Sequence, residues 1–208
     1  MARKDDAAPT RTLERMMLFS DAVFAIAITL LVIDLHAPTL PRGASDIAQW
    51  HGLAALIPNF FGFALSFFVI GQFWVGHHNA FALAGRADAR LLWPNLMLLM
   101  FIVGLPFVTA YLSANFGERV PTLCYNLYLV ATALLNMRLG RLITAPPFVM
   151  TAEVAARVRR LRDGSTAVVI AGVIAVALSY VEPRFSQIAL VTMPLWRRCL
   201  AWGSRIKT

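Results

Sequence analysis

The feature that most constrains this chain is the apolar run from Met16 to Ile33. Its 18 residues include only three polar side chains, Ser20, Asp21 and Thr29, and only one of these is charged. At about 1.5 Å per residue, a helix of this length with its flanks crosses a hydrocarbon core roughly 30 Å thick. A carboxylate inside such a helix is costly unless it meets a donor, a pore or a wet cavity. The run therefore predicts a transmembrane helix, and its carboxylate indicates a role beyond anchoring.

Similar apolar segments recur along the whole chain. Of its 208 residues 59% are hydrophobic and 14% are charged, which is too apolar for an ordinary soluble domain. We expect an all-α, polytopic membrane protein with a transmembrane domain over residues 14–203, a cytoplasmic tail at 1–13 and a cytoplasmic end at 204–208. Val154–Leu161 predicts a separate basic amphipathic helix in the longest connection. The six predicted spans are 14–35, 53–75, 91–112, 122–139, 166–180 and 185–202.

Basic residues indicate how the spans are oriented. The net charge is +8, and the Lys and Arg residues of alternate connections add up to 16 on one side of the membrane and 3 on the other. Cytoplasmic loops carry the excess of Lys and Arg, so six spans with both termini in the cytoplasm fit this pattern. Because the charges lie between apolar spans, we expect contact with the lipid bilayer and none with nucleic acid.

Several other classes of site find no support in the sequence. Cys124 and Cys199 are isolated, which excludes a disulfide framework. His77 and His78 are adjacent, so they do not face one ion together on a helix, and a polar interfacial role is preferred to metal binding. There is no nucleophile–base arrangement or phosphate loop, so we expect neither an enzyme nor a cofactor. The first run is longer than the apolar part of a signal peptide and is expected to be retained.

The first span also carries an apolar stripe. At 100° per residue, Phe19, Ala22, Ile26, Leu30 and Ile33 share one helical face, and Thr29 borders it. Such a stripe has two interpretations. It can face lipid or a neighbouring helix, which is the commoner case in membranes. Alternatively, rings of these side chains at the axis of a symmetric bundle block ions by dewetting and conduct when they widen.

A short motif favours the second interpretation. The pattern Arg15-x-x-x-Phe19-Ser20-Asp21, running directly into the apolar helix, resembles the signature of the transmembrane protein 175 family, potassium-permeable channels of lysosomes and bacterial membranes. The resemblance implies a homotetramer in a bacterial cell (inner) membrane, with the first helix lining a central pore for potassium ions. It implies a constriction at Ile26, Leu30 and Ile33 and a pore-lining hydroxyl at Thr29. The filter sequence TVGYG is absent, so only moderate selectivity for potassium over sodium is expected.

The resemblance also implies a polar network near the cytoplasmic end, made by the motif residues Arg15, Phe19, Ser20 and Asp21 together with His77. Arg15 is six residues from Asp21, beyond the reach of an intrahelical pair, so the carboxylate needs a donor from another span. The candidates are His77 and Asn95, with Trp74 and Gln72 as weaker ones.

Two other functions stay open at this point. A secondary transporter or proton-conducting pathway would use Asp21, His77 and Arg15 as a relay. A purely structural membrane protein would show no conductance.

Overall fold

The computed structural model describes residues 7–84, 89–145 and 155–191, and these residues form helices and short connections without a strand. Five segments of the described chain are long and apolar enough to cross a membrane. The predicted all-α, multi-spanning fold class is therefore confirmed. The predicted sixth span, 185–202, lies outside the described residues from position 192 onward. The helices are α1 (Ala7–Leu30), α2 (Asp46–Ala54), α3 (Ile57–Phe81), α4 (Ala89–Ala114), α5 (Arg119–Ile143), α6 (Ala155–Val181) and the short α7 (Ile188–Val191).

The first helix differs from its predicted bounds at both ends. It begins at Ala7, so residues 7–13 of the predicted cytoplasmic tail are helical and continuous with α1, while their side of the membrane stays a prediction. At its other end the α-helix stops at Leu30, and Leu31–Asp34 continue it as a 3₁₀ turn. Residues three apart eclipse in a 3₁₀ helix, so the tighter turn changes the stacking of the last side chains relative to the predicted 3.6-residue period.

The second predicted span is two helices. The chain turns at Ala55 and Leu56, between α2 and α3. Pro58 lies in the first turn of α3, where a backbone N–H has no partner within the helix, so proline is tolerated there. Ser45 caps α2 by accepting a hydrogen bond from the Ala48 N–H at 3.3 Å. The 25 residues of α3 supply the membrane crossing.

The connection predicted over residues 138–165 is largely helical. Helix α5 continues to Ile143, and α6 already begins at Ala155. Residues 155–161 of the basic helix predicted at Val154–Leu161 are therefore the start of α6 and not a separate element. Gly164 lies inside α6 and does not end it, because one internal glycine costs only about 1 kcal/mol of helix stability.

The spanning helices pack as a bundle in which α3 contacts each of the other four. Helix α1 contacts α3 and α4, while α5 packs between α4 and α6. We call the end of the bundle at which α3 and α5 finish and α6 starts the basic end, since Arg141 and Arg162 lie there. Small residues allow close helix contact, as is common in membrane proteins. A Cβ atom on Gly104 of α4 would overlap the Tyr128 hydroxyl of α5.

Candidate pore helix and its anchoring network

Helix α1 has one packed face and one uncovered face. The buried side chains recur every three or four residues and pack against α3 and α4; they are Met16, Ser20, Phe24, Ala27 and Leu31. On the opposite side, the residues between positions 15 and 33 that the described helices leave exposed follow the same spacing; they are Arg15, Leu18, Phe19, Ala22, Ala25, Ile26, Thr29, Val32 and Ile33. We call this set the uncovered α1 face. It is almost entirely apolar and is available to lipid or to another subunit.

The predicted constriction residues lie on or beside the uncovered α1 face. Ile26 is 55% exposed and Ile33 is 63% exposed. Leu30 is half-buried and lies at the edge of the face. The Thr29 hydroxyl is exposed and donates to the Ile26 carbonyl at 2.9 Å. Because its hydrogen is used within the helix, this hydroxyl offers its neighbours oxygen lone pairs.

A buried chain of hydrogen bonds starts at Ser20 on the packed face. The Ser20 hydroxyl donates to the Met16 carbonyl at 2.8 Å, so its oxygen accepts from the Asn95 side-chain N–H, 2.9 Å away. The Asn95 amide oxygen then accepts from Nε2–H of His77 at 2.8 Å. Ser20 and Asn95 are fully buried, and His77 is 2% exposed. We call this series of hydrogen bonds the α1 anchor, because it joins α1 to α4 and α3.

The donor to Asp21 is Trp74. Its indole N–H lies 2.8 Å from the Asp21 carboxylate. Trp74 was one of the weaker candidates, whereas His77 and Asn95, the stronger ones, bond to each other and to Ser20. Asp21 is half-buried, so its carboxylate keeps some access to its surroundings. Because the carboxylate is only half-buried, one hydrogen bond from α3 is enough to compensate for its partial loss of solvent.

The remaining motif residues lie away from these bonds. Arg15 and Phe19 are both exposed on the uncovered α1 face. Within the described part of the chain, no hydrogen bond or ion pair joins Arg15 to Asp21 or His77. The structure thus brings Ser20 and His77 together through Asn95 and gives Asp21 a separate donor.

A hydroxyl cluster between three helices was not foreseen from the sequence. Ser66 of α3 lies 2.7 Å from the Thr109 hydroxyl of α4 and 2.9 Å from the Tyr125 hydroxyl of α5. Thr109 donates to the Leu105 carbonyl at 2.8 Å, so Tyr125 donates to Ser66 and Ser66 to Thr109. All three side chains are buried. Each belongs to an otherwise apolar helix, and no local pattern marks it as part of a cluster.

Comparisons with known proteins agree on one family. The family model described as endosomal/lysosomal potassium channel TMEM175 matches residues 15–106. A protein named as a potassium channel from Streptomyces collinus is 40% identical over 124 residues, which cover 58% of this chain and 59% of that protein. A potassium channel from Chamaesiphon minutus is 39% identical over 99 residues, 48% of each chain. Human TMEM175, named as an endosomal/lysosomal proton channel, is 30% identical over 60% of this chain and 27% of its own length.

A solved structure extends the similarity over almost the whole chain. The crystal structure of a lysosomal potassium-selective channel TMEM175 homolog from Chamaesiphon minutus superposes with a TM-score of 0.74 and 29% identity, covering 91% of this chain and 98% of that one. The sequence alignments are shorter, and the chain spans about half the length of the curated bacterial relatives that it matches. All of these relatives are named as ion channels, which agrees with the expectation that the chain is not an enzyme. In sequence the chain therefore resembles the transmembrane protein 175 family over residues 15–106, and its fold is similar to that of a solved homolog over 91% of its length.

Proposed function

We propose that the chain forms a potassium-permeable cation channel in which the uncovered α1 face lines a central pore. The observation that carries this proposal is the division of α1 into a hydrogen-bonded packed face and an apolar face that the described helices leave open. One helix cannot enclose a pathway, so several copies have to meet along these faces, and a homotetramer is the proposed assembly. The potassium-channel names of the bacterial relatives support the same ion.

The proposed gate is a ring of aliphatic side chains. Ile26 points out of the subunit near the middle of the span, with Leu30 and Ile33 one and two turns further on. A narrow apolar ring excludes water and so blocks ions, and a small widening of the ring admits both. The Thr29 oxygen provides lone pairs between these rings, which favours cations over anions. With one such hydroxyl per subunit we propose moderate selectivity for potassium over sodium.

The proposed orientation follows the basic residues. The basic end of the bundle faces the cytoplasm of a bacterial cell with an inner membrane, and both termini lie on that side. Cations then enter from the opposite side past Asp34, at the end of the 3₁₀ turn.

A direct test is ion flux through the reconstituted protein. We expect Ile26→Asn to wet the constriction, raising potassium flux severalfold and reducing the discrimination against sodium. Currents would be recorded in planar bilayers under potassium and sodium gradients. Phe107→Asn is the matched control, since Phe107 is 76% exposed on α4 and outside the proposed pore. Ile26→Asn currents identical to those of the wild type would refute the proposed gate.

The alternative is a proton pathway through Asp21, His77 and Arg15, which the proton-channel name of human TMEM175 brings into consideration. The described contacts support it less, because Asp21 bonds to the Trp74 indole, which has no lone pair to relay a proton. His77 bonds to Asn95 and not to Asp21. Flux driven by a pH gradient and abolished by Asp21→Asn would favour this alternative over the potassium channel.

A further inference from the structure

A polar crevice opens between α3, α5 and α6 at the basic end of the bundle. It consists of two adjoining cavities of about 390 and 430 Å³, counted with their open mouths, which share Gly76, Asn136, Leu161 and Ser165. The first cavity is also lined by His77, Arg141, Thr144 and Arg162. Helices α3, α5 and α6 each contribute polar groups to one space that the proposed channel function does not use.

Two arginines from different helices converge on this crevice. Arg141 lies in the last turn of α5 and Arg162 in the first half of α6. Both are exposed, and neither has a carboxylate partner among the residues that the structure describes. Asp163 is next to Arg162 in sequence but does not line the crevice. Among the described residues, two positive charges at the mouth of the crevice therefore have no carboxylate beside them.

The shape of the crevice determines where a ligand fits. The enclosed part of the first cavity measures about 20 Å³, which is room for one water molecule. A larger polar group has to occupy the mouth, which is lined by the guanidinium groups and the Asn136 and Ser165 side chains. The Thr144 hydroxyl is buried and already donates to the Gly140 carbonyl at 2.8 Å. Guanidinium groups bind phosphate oxygens through paired, charge-assisted hydrogen bonds, and hydroxyl and amide groups donate to the same oxygens.

We propose that this crevice binds a phosphate-bearing anion, with Arg141 and Arg162 as its principal donors. Its position at the end of the spanning helices places it at the depth of lipid headgroups, and basic pockets between helices on the cytoplasmic side suit acidic phospholipids. A soluble phosphate offers the same chemistry and is distinguished by experiment. This site rests on its own lining residues and needs no assumption about conduction.

The test measures lipid binding directly. Native mass spectrometry of the delipidated full-length protein in detergent would compare retention of phosphatidylglycerol with that of phosphatidylcholine. Each basic residue near an acidic headgroup contributes about a factor of five in affinity, so Arg141→Gln with Arg162→Gln should weaken phosphatidylglycerol binding roughly thirtyfold. The matched control is Arg119→Gln with Arg184→Gln, two exposed arginines away from the crevice, and it should bind as the wild type does.

A second variant guards against loss of folding in the first. Ser165→Glu keeps both arginines but puts a carboxylate at the mouth, so it should weaken phosphatidylglycerol binding clearly more than Ser165→Gln, which removes the same hydroxyl without adding a charge. Stabilisation by millimolar inorganic phosphate, without preference for phosphatidylglycerol, would support the site and assign it to a soluble phosphate. Unchanged phosphatidylglycerol binding in both the double arginine variant and Ser165→Glu would overturn the proposal.

Discussion

Asn95 is the residue that holds the first helix to the rest of the bundle. Its amide uses both of its polar atoms, donating to Ser20 on α1 and accepting from His77 on α3. An amide suits this position because its donor and its acceptor lie on two separate atoms, one directed at each neighbour, whereas a carboxylate has no donor. When one side chain of a buried hydrogen-bonded series is removed, its neighbours lose their partners. The resulting loss of folding free energy exceeds the net contribution of a typical hydrogen bond.

We therefore expect Asn95→Leu to lower the free energy of unfolding by about 1–3 kcal/mol, since a His77 donor and the Ser20 oxygen lose their partner together. Denaturant titration of the protein in detergent micelles would measure the change. Asn79→Leu makes the same substitution at an exposed position of α3 and should stay within about 0.5 kcal/mol of the wild type. Equal losses in the two variants would show that the amide has no special role.

At the scale of the helices, the glycines mark the closest contacts. Gly104 and Tyr128 fit together across the α4–α5 contact, because the glycine has no side chain where the tyrosine hydroxyl lies. Gly71 on α3 has no atom within 4 Å of the position that a Cβ would take. Both glycines lie inside α-helices, so they differ only in what surrounds them.

Gly104→Ala should consequently destabilise the protein by about 1–3 kcal/mol, because the new methyl group displaces the Tyr128 ring. Gly71→Ala should be neutral or stabilising, since alanine favours the helix by up to about 1 kcal/mol and meets nothing there. Thermal unfolding in detergent would compare the two. Adding Tyr128→Phe to Gly104→Ala removes the overlapping hydroxyl and should restore part of the loss; no recovery would contradict this account of the contact.

Helices are also the scale at which sequence reasoning succeeds and fails. Hydropathy finds the spans, because each crossing needs an unbroken apolar helix. It misplaces the ends of the helices, as at Ala7 and Ala155, because a helix can continue through polar residues beyond the apolar run. Helical periodicity predicts the two faces of α1. It does not predict the hydrogen bond from Trp74 to Asp21 or the one between Ser66 and Tyr125, because those pairs depend on how separate helices pack against one another.

For the whole molecule, the proposed pore requires the uncovered α1 faces of several subunits to meet. We expect Ile26→Cys, in a background with both native cysteines replaced by serine, to form oxidised inter-subunit dimers in the membrane. Phe107 is the more exposed of the two positions, at 76% against 55% for Ile26, yet Phe107→Cys on α4 should remain monomeric. Non-reducing electrophoresis after treatment with copper phenanthroline would show the difference. Failure of Ile26→Cys to cross-link, or equal cross-linking at Phe107, would place α1 away from the shared axis.

The α1 anchor has a further consequence for how such an assembly is made. Its described bonds begin and end within one chain, so each newly inserted copy sets its leading helix before it meets another. Each copy then enters the proposed assembly with its own α1 anchor formed and needs no hydrogen bond from another copy to complete it. In a cell that expresses normal and altered copies together, mixed rings should appear in the proportions that chance dictates, and a defect that breaks the anchor in one copy should remain confined to that copy.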